Sequence, residues 1–133
     1  MRNIVLCALA IAVSASAFGA AASNSRSITL NVTSNSSGYS CEYSGGDNPA
    51  GDVTFHVGTK ATLALHLTGD QSYTIDKVNV ASDPNDQLSV GNNSPTTAVI
   101  QDKNTVAQEA TYKVTVKDPD GTKIPCDPKI INN

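Results

Sequence analysis

The 133-residue sequence predicts an all-β fold, a two-layer antiparallel sandwich of seven to eight short strands held by one disulfide. Three observations carry this. Apolar and polar residues alternate in short runs, as where Ile28, Leu30 and Val32 stand between Ser27, Thr29, Asn31 and Thr33; a period of two marks a strand with one buried and one wet face. Clusters of Gly, Pro, Asn, Asp and Ser separate these runs at short intervals, and no convincing helical period appears between them. Two cysteines, Cys41 and Cys126, remain once an N-terminal leader is set aside.

Residues 1–22 read as a secretory signal, with Arg2 as the positive region and Ile4 to Val13 as the apolar core. Ala15-Ser16-Ala17 or Ala20-Ala21-Ala22 supplies the cleavage site. The apolar run is shorter than the roughly 20 residues a membrane span needs, so release without stable membrane insertion is expected. Residues 23–133 then form one domain in a secreted or periplasmic setting. Removing Arg2 leaves eight Lys and Arg against twelve Asp and Glu, a charge of 8 − 12 = −4, which disfavours a nucleic-acid partner. In an oxidising compartment two cysteines default to a disulfide. Closing a loop of roughly 85 residues stabilises by about 4–5 kcal/mol on the chain-entropy argument.

After the first strand, Ser34 to Gly38 breaks the pattern, and Tyr39, Cys41 and Tyr43 share the next parity, setting the cysteine beside two rings. Ser44 to Gly51 concentrates Gly, Pro and Asn and is a loop. Val53, Phe55 and Val57 form a short inward-facing strand, Leu63, Leu65 and Leu67 another. Tyr73, Ile75, Val78 and Val80 change parity near Asp76-Lys77, the mark of a bulge. Leu88-Ser89-Val90 is a brief edge piece, Gly91 to Pro95 a second long break, Thr97 to Ile100 a strand, and Asp102-Lys103-Asn104 a turn.

The C-terminal run is the most determinate. Asp118-Pro119-Asp120-Gly121 is hairpin chemistry, because Pro presets φ and Gly accepts the positive φ that closes the turn. With Asp118 opposite Thr122, Lys117 faces Lys123, Val116 faces Ile124 and Val114 faces Cys126. The core face then carries Tyr112, Val114, Val116, Ile124 and Cys126. The like-charged pair Lys117 and Lys123 is read as tolerated in solvent.

Two family resemblances follow from these residues. Val57-Gly58 followed by Leu63-x-Leu65, and later Ala110-Thr-Tyr112-Lys-Val114, resemble two stretches of immunoglobulin-like domains, with Leu65 and Val114 where that family often carries its cysteines. The core Trp of the family is lacking, so the likeness is to its architecture. Tyr112-x-Val114-x-Val116 with Asp127-Pro128-Lys129-Ile130-Ile131-Asn132 resembles the C-terminus of the bacterial DP-EP family. That likeness spans about twenty residues, includes only the first of its dipeptides, and implies a compact β domain without an established activity.

Candidate chemistry is sparse. Asp118, Asp120 and Asp127 are possible Ca²⁺ ligands, but the spacing lacks the final Glu of a calcium loop, and a turn with carboxylates facing water is the simpler reading. His56 and His66 fall on solvated strand faces; side by side they would supply two of the ligands of a metal-dependent hydrolase, without a third. No nucleophile elbow, zinc-protease helix or phosphate-cradling loop is present, and no catalytic, metal or cofactor residue is assigned. Asn31, Asn35 and Asn92 begin glycosylation sequons, read as coincidence in a bacterial host. The leading reading is a non-catalytic binding module that meets a protein or a cell-surface glycan through end loops or an edge strand. Its candidate contact residues are Gly45, Asp47 and Asn48 in one loop and Asn92, Asn93 and Thr96 in the other. A periplasmic inhibitor or immunity-type protein is the nearest alternative, a hydrolase built on His56 and His66 the more distant one.

Overall fold

Alternation in the first strand does what its period requires. In the computed structural model, which describes residues 24–91 and 93–133, strand β1 (Ser25–Asn35) buries Ile28, Leu30 and Val32 and turns Thr29, Asn31 and Thr33 outward. The signal segment assigned to residues 1–22 lies outside the described residues, as does Asn92. From β1 the chain turns through Ser36 and Ser37 into β2 (Gly38–Ser44), then passes through β3 (Val53–Phe55), β4 (Ala61–Gly69), β5 (Thr74–Ser82) and β6 (Leu88–Val90). Strands β7 (Thr97–Asp102), β8 (Gln108–Lys117), β9 (Lys123–Pro125) and β10 (Lys129–Asn132) complete it. One sheet has the order β2-β1-β4-β7-β6 and the other β3-β10-β8-β5, with β9 also paired to β8.

The result is the expected immunoglobulin-like sandwich, with ten strands among the described residues rather than seven or eight. The last run is split, because Cys126-Asp127-Pro128 interrupts the ladder on one side of β8 and makes two strands, β9 and β10. The sandwich is also not purely antiparallel: β1 runs parallel to β4, and β3 parallel to β10. The cause is the connection after β2, which carries the chain from one sheet to the other without reversing it. Strands β2 and β3 both run toward the end where β1 and β4 begin, here the lower end, so β4 returns in the direction of β1.

Between the sheets lie Leu30, Leu65, Ile100, Tyr112, Val114 and Val116, all fully buried. Leu65 and Val114 sit on opposing sheets. The covalent clasp has moved outward: Cys41 of edge strand β2 is bonded to Cys126 at the break between β9 and β10, with Cα atoms 5.9 Å apart, inside the range a disulfide spans. Cys126 is buried, and Cys41 packs partly buried against the core. Tyr43 covers this region from within, its hydroxyl donating to the Cys126 carbonyl at 2.6 Å. Tyr39 does not join that shield; it leans edge-on toward Tyr73, with ring centroids 6.4 Å apart.

The terminal hairpin forms in the expected register, Lys117 opposite Lys123 and Val116 opposite Ile124, with Gly121 at φ +86°. Two expectations need correction. The lysines remain in contact with solvent but are not unpaired: Asp76 bonds Lys117 at 2.9 Å and Lys123 at 3.4 Å. The expected bulge in β5, a register shift between Ile75 and Lys77, places it there. Val57, expected to face inward, is exposed: it lies beyond the end of β3, where the Phe55 carbonyl accepts from the Asn133 amide and the Val57 amide donates to the Asn133 carbonyl.

Candidate functional site

The loop between β2 and β3 is exposed along most of its length yet tied at nearly every residue. Asp47 accepts from the Thr54 amide at 2.7 Å and from Arg26 at 3.1 Å, and these donors hold its carboxyl below the usual carboxylate range against the upward pull of burial. Asn48 Oδ1 accepts from the Ala50 and Asp52 amides, and its Nδ2 donates to Asp52. Gly45 adopts φ +84°, and a Cβ there would stand 2.7 Å from the Ser27 carbonyl oxygen; Gly51 lies flat against the Tyr43 ring. The loop is a preformed shape braced by the Asp47 and Asn48 side chains, and Asp47, Asn48, Pro49 and Ala50 all reach its surface.

The second candidate loop is bound in similarly. Asn93 Oδ1 accepts from the Val99 amide at 3.4 Å, the Thr96 carbonyl accepts from Leu67, and the Pro95 carbonyl accepts from Ile75. The sheet does not bring the two loops together. Ser44, Thr29, His66 and Thr97 form one row across it, so the loops depart from opposite ends of a row three strand spacings wide, roughly 14 Å, and head in opposite directions. They are two separate surfaces.

His66 lies on the outer face of β4, while His56 follows β3 in the other sheet. The side-by-side arrangement that a shared metal requires is therefore absent. Among the described residues no three His, Cys, Asp or Glu side chains gather into one group, and no pocket opens in their surface. Asp118, expected to face water, is buried instead: Oδ1 accepts from the Asp120 and Thr122 amides at 2.9 and 2.8 Å, and Oδ2 accepts from the Tyr39 hydroxyl. The Tyr39 hydroxyl above all holds the Asp118 carboxyl low.

Sequence reasoning passed over the lower end. Three connections between the sheets meet there, residues 56–60, 83–87 and 103–107. Asn104, at φ +51°, donates through Nδ2 to the carbonyls of His56 and Thr59 at 2.6 and 2.9 Å. Gln87 Oε1 accepts from Thr105 N and Oγ1, and the Gln87 carbonyl accepts from the Lys103 amide. Asp83 takes the Gln87 and Leu88 amides and Gln108. Above them Asp102 and Asn132 face each other from the two sheets, both buried, with Asp102 Oδ1 accepting from Asn132 Nδ2 at 3.2 Å and from the Asn104 amide at 2.8 Å. Burial raises the Asp102 carboxyl above its ordinary value. The signal was available: Ala98, Ile100 and Asp102 share one parity, so the strand that buries the first two buries the third. The same end exposes Val57 and Val106, two of the three exposed large apolar side chains among the described residues.

The free edges of the sandwich offer less. Strand β5 carries register shifts at Ile75/Lys77 and Val80/Ser82, devices that discourage strand addition.

No family model and no curated protein matches the chain, so the DP-EP resemblance finds no support. Solved structures of similar fold include murine CRIg, at 16% identity over 62% of this chain and 90% of that one, TM-score 0.44. The cysteine protease inhibitor EhICP2 from Entamoeba histolytica aligns at 14% identity over 62% and 84%, TM-score 0.38. The inclusion body protein PixA from Burkholderia cenocepacia aligns at 11% identity over 84% and 93%, TM-score 0.45. At such identities and scores these are likenesses of β architecture, and no ligand or activity passes from them to this chain.

Proposed function

We propose that this chain is an extracytoplasmic, non-catalytic interaction module whose lower end meets a protein partner. The observation that carries the reading is the joining of three inter-sheet connections by Asn104, Gln87 and Asp83 beneath the exposed side chains of Val57 and Val106. Loops already fixed in place bind without the ordering cost that flexible loops incur. Exposed aliphatic side chains beside polar backbone suit a protein surface better than a glycan, which is usually met by stacked aromatic rings. The braced 45–52 loop, with Gly45, Asp47 and Asn48 as its frame, is the second surface in this proposal, and the loop of Asn92, Asn93 and Thr96 the third. The disulfide agrees with an oxidising compartment, and no helix among the described residues is long and apolar enough to cross a membrane.

Site-resolved photo-crosslinking in the native host tests the reading. A crosslinking residue at position 57 or 106 should yield a discrete adduct, and one at Lys113, on the outer face of β8, should not. Equal labelling from all three positions, or none from the lower end, would refute it.

A further inference from the structure

The lower end of the core holds three acceptor oxygens that no protein donor among the described residues reaches: Asp102 Oδ2, Asn104 Oδ1 and Asn132 Oδ1. These residues are 1%, 0% and 3% exposed. They belong to one cluster, because Asp102 Oδ1 accepts from both Asn132 Nδ2 and the Asn104 amide. We propose that these three residues bind a small hard cation of the Na⁺ or Ca²⁺ class.

The argument is one of valence. A proton on Asp102 would turn Oδ2 into a donor for one amide oxygen and leave the other unsatisfied. A single water brings two hydrogens to three acceptors. A cation held among the three residues would serve all three oxygens and also compensate the buried carboxylate, which pairs with no Lys or Arg among the described residues: the nearest in sequence, Lys103, directs its Nζ to Asp86. The donor set is wholly oxygen, a carboxylate with two amide carbonyls, which is the chemistry of hard cations and not of zinc or copper. The carbonyls of His56 and Thr59, already held by Asn104, are further oxygens in the same cluster, each with a second lone pair. Such an ion would tie β7, β10 and the 56–60 and 103–107 connections together, and the inference stands whether or not the lower end binds a partner.

Chelator-treated protein provides the test. Calorimetric unfolding should show a saturable rise in Tm with CaCl₂ or with NaCl, the two arms distinguishing the ions, and none with tetramethylammonium chloride at equal ionic strength. Titration of the wild-type chain should give one site per molecule. Asp102→Asn should abolish the rise; if that variant does not fold, the wild-type titration decides. A Tm indifferent to every cation, or a rise that persists in Asp102→Asn, would overturn the site.

Discussion

Two buried tyrosines in the same core meet opposite fates. The Tyr43 hydroxyl donates to the Cys126 carbonyl at 2.6 Å, whereas the Tyr112 hydroxyl has no partner among the described residues. A buried hydroxyl left unsatisfied costs about 1–3 kcal/mol. Tyr112→Phe should therefore raise the unfolding free energy by about 1 kcal/mol, and Tyr43→Phe should lower it by about 1 kcal/mol, both read from urea denaturation. A destabilised Tyr112→Phe would show that the hydroxyl is bonded after all. Asp118 sets a pH limit. Its carboxyl is held low by Tyr39 and by the Thr122 and Asp120 amides, so its contribution is present above the unfolded value, about pH 3.9, and is lost as pH falls through the folded value. Wild-type stability should drop through this acid range, and Asp118→Asn should start lower at neutral pH and fall less steeply. Asp47, Asp70, Asp76 and Asp83 are shifted the same way, so the slope shrinks without vanishing.

Among the elements, β5 shows how one irregular residue corrects a conflict elsewhere. Lys117 and Lys123 face each other because the Asp118 to Gly121 turn sets the register, and the bulge at Asp76 delivers the carboxylate that both lysines bind. The interaction is a surface one and screened by salt. Asp76→Asn should lower the denaturation midpoint at low ionic strength, with the difference closing in 1 M NaCl; a gap unchanged by salt would mean that Asp76 acts through the backbone of the bulge. The bulge and the lysine pairing were both legible from parity, but their meeting was not, since it depends on which strand lies beside β8. The same limit explains Asp118. Its turn was evident, yet the Tyr39 hydroxyl that helps bury it comes from the other sheet, 79 positions away in sequence.

At the scale of the whole molecule, local pattern predicted the strands, the sandwich and the pairing of Cys41 with Cys126, because each follows from alternation, turn residues or redox setting. It did not predict that the chain crosses between sheets after β2 without reversing, and so missed the parallel ladders. The polar cluster at Asp102, Asn104 and Asn132 went unread for a related reason: a turn of Asp, Lys and Asn looks solvated until β10 is laid over it. Replacing both Cys41 and Cys126 by Ser should cost about 2–5 kcal/mol, measured by denaturant unfolding. Little change would mean that the reduced chain keeps the loop closed without it.

The position of that clasp also decides how the molecule behaves under tension. Residues between Cys41 and Cys126, a separation of 85, cannot lengthen when the two ends are pulled, so on the order of 300 Å of contour is withheld until the bond is reduced. Both described ends emerge at the lower end, Ser25 opposite Thr62 and Asn132 opposite Gln108. A stretching force would peel β1, β2 as far as Cys41, and β10 from their neighbours and then stop. Single-molecule extension should accordingly show a short step in oxidising buffer and a long one after reductant.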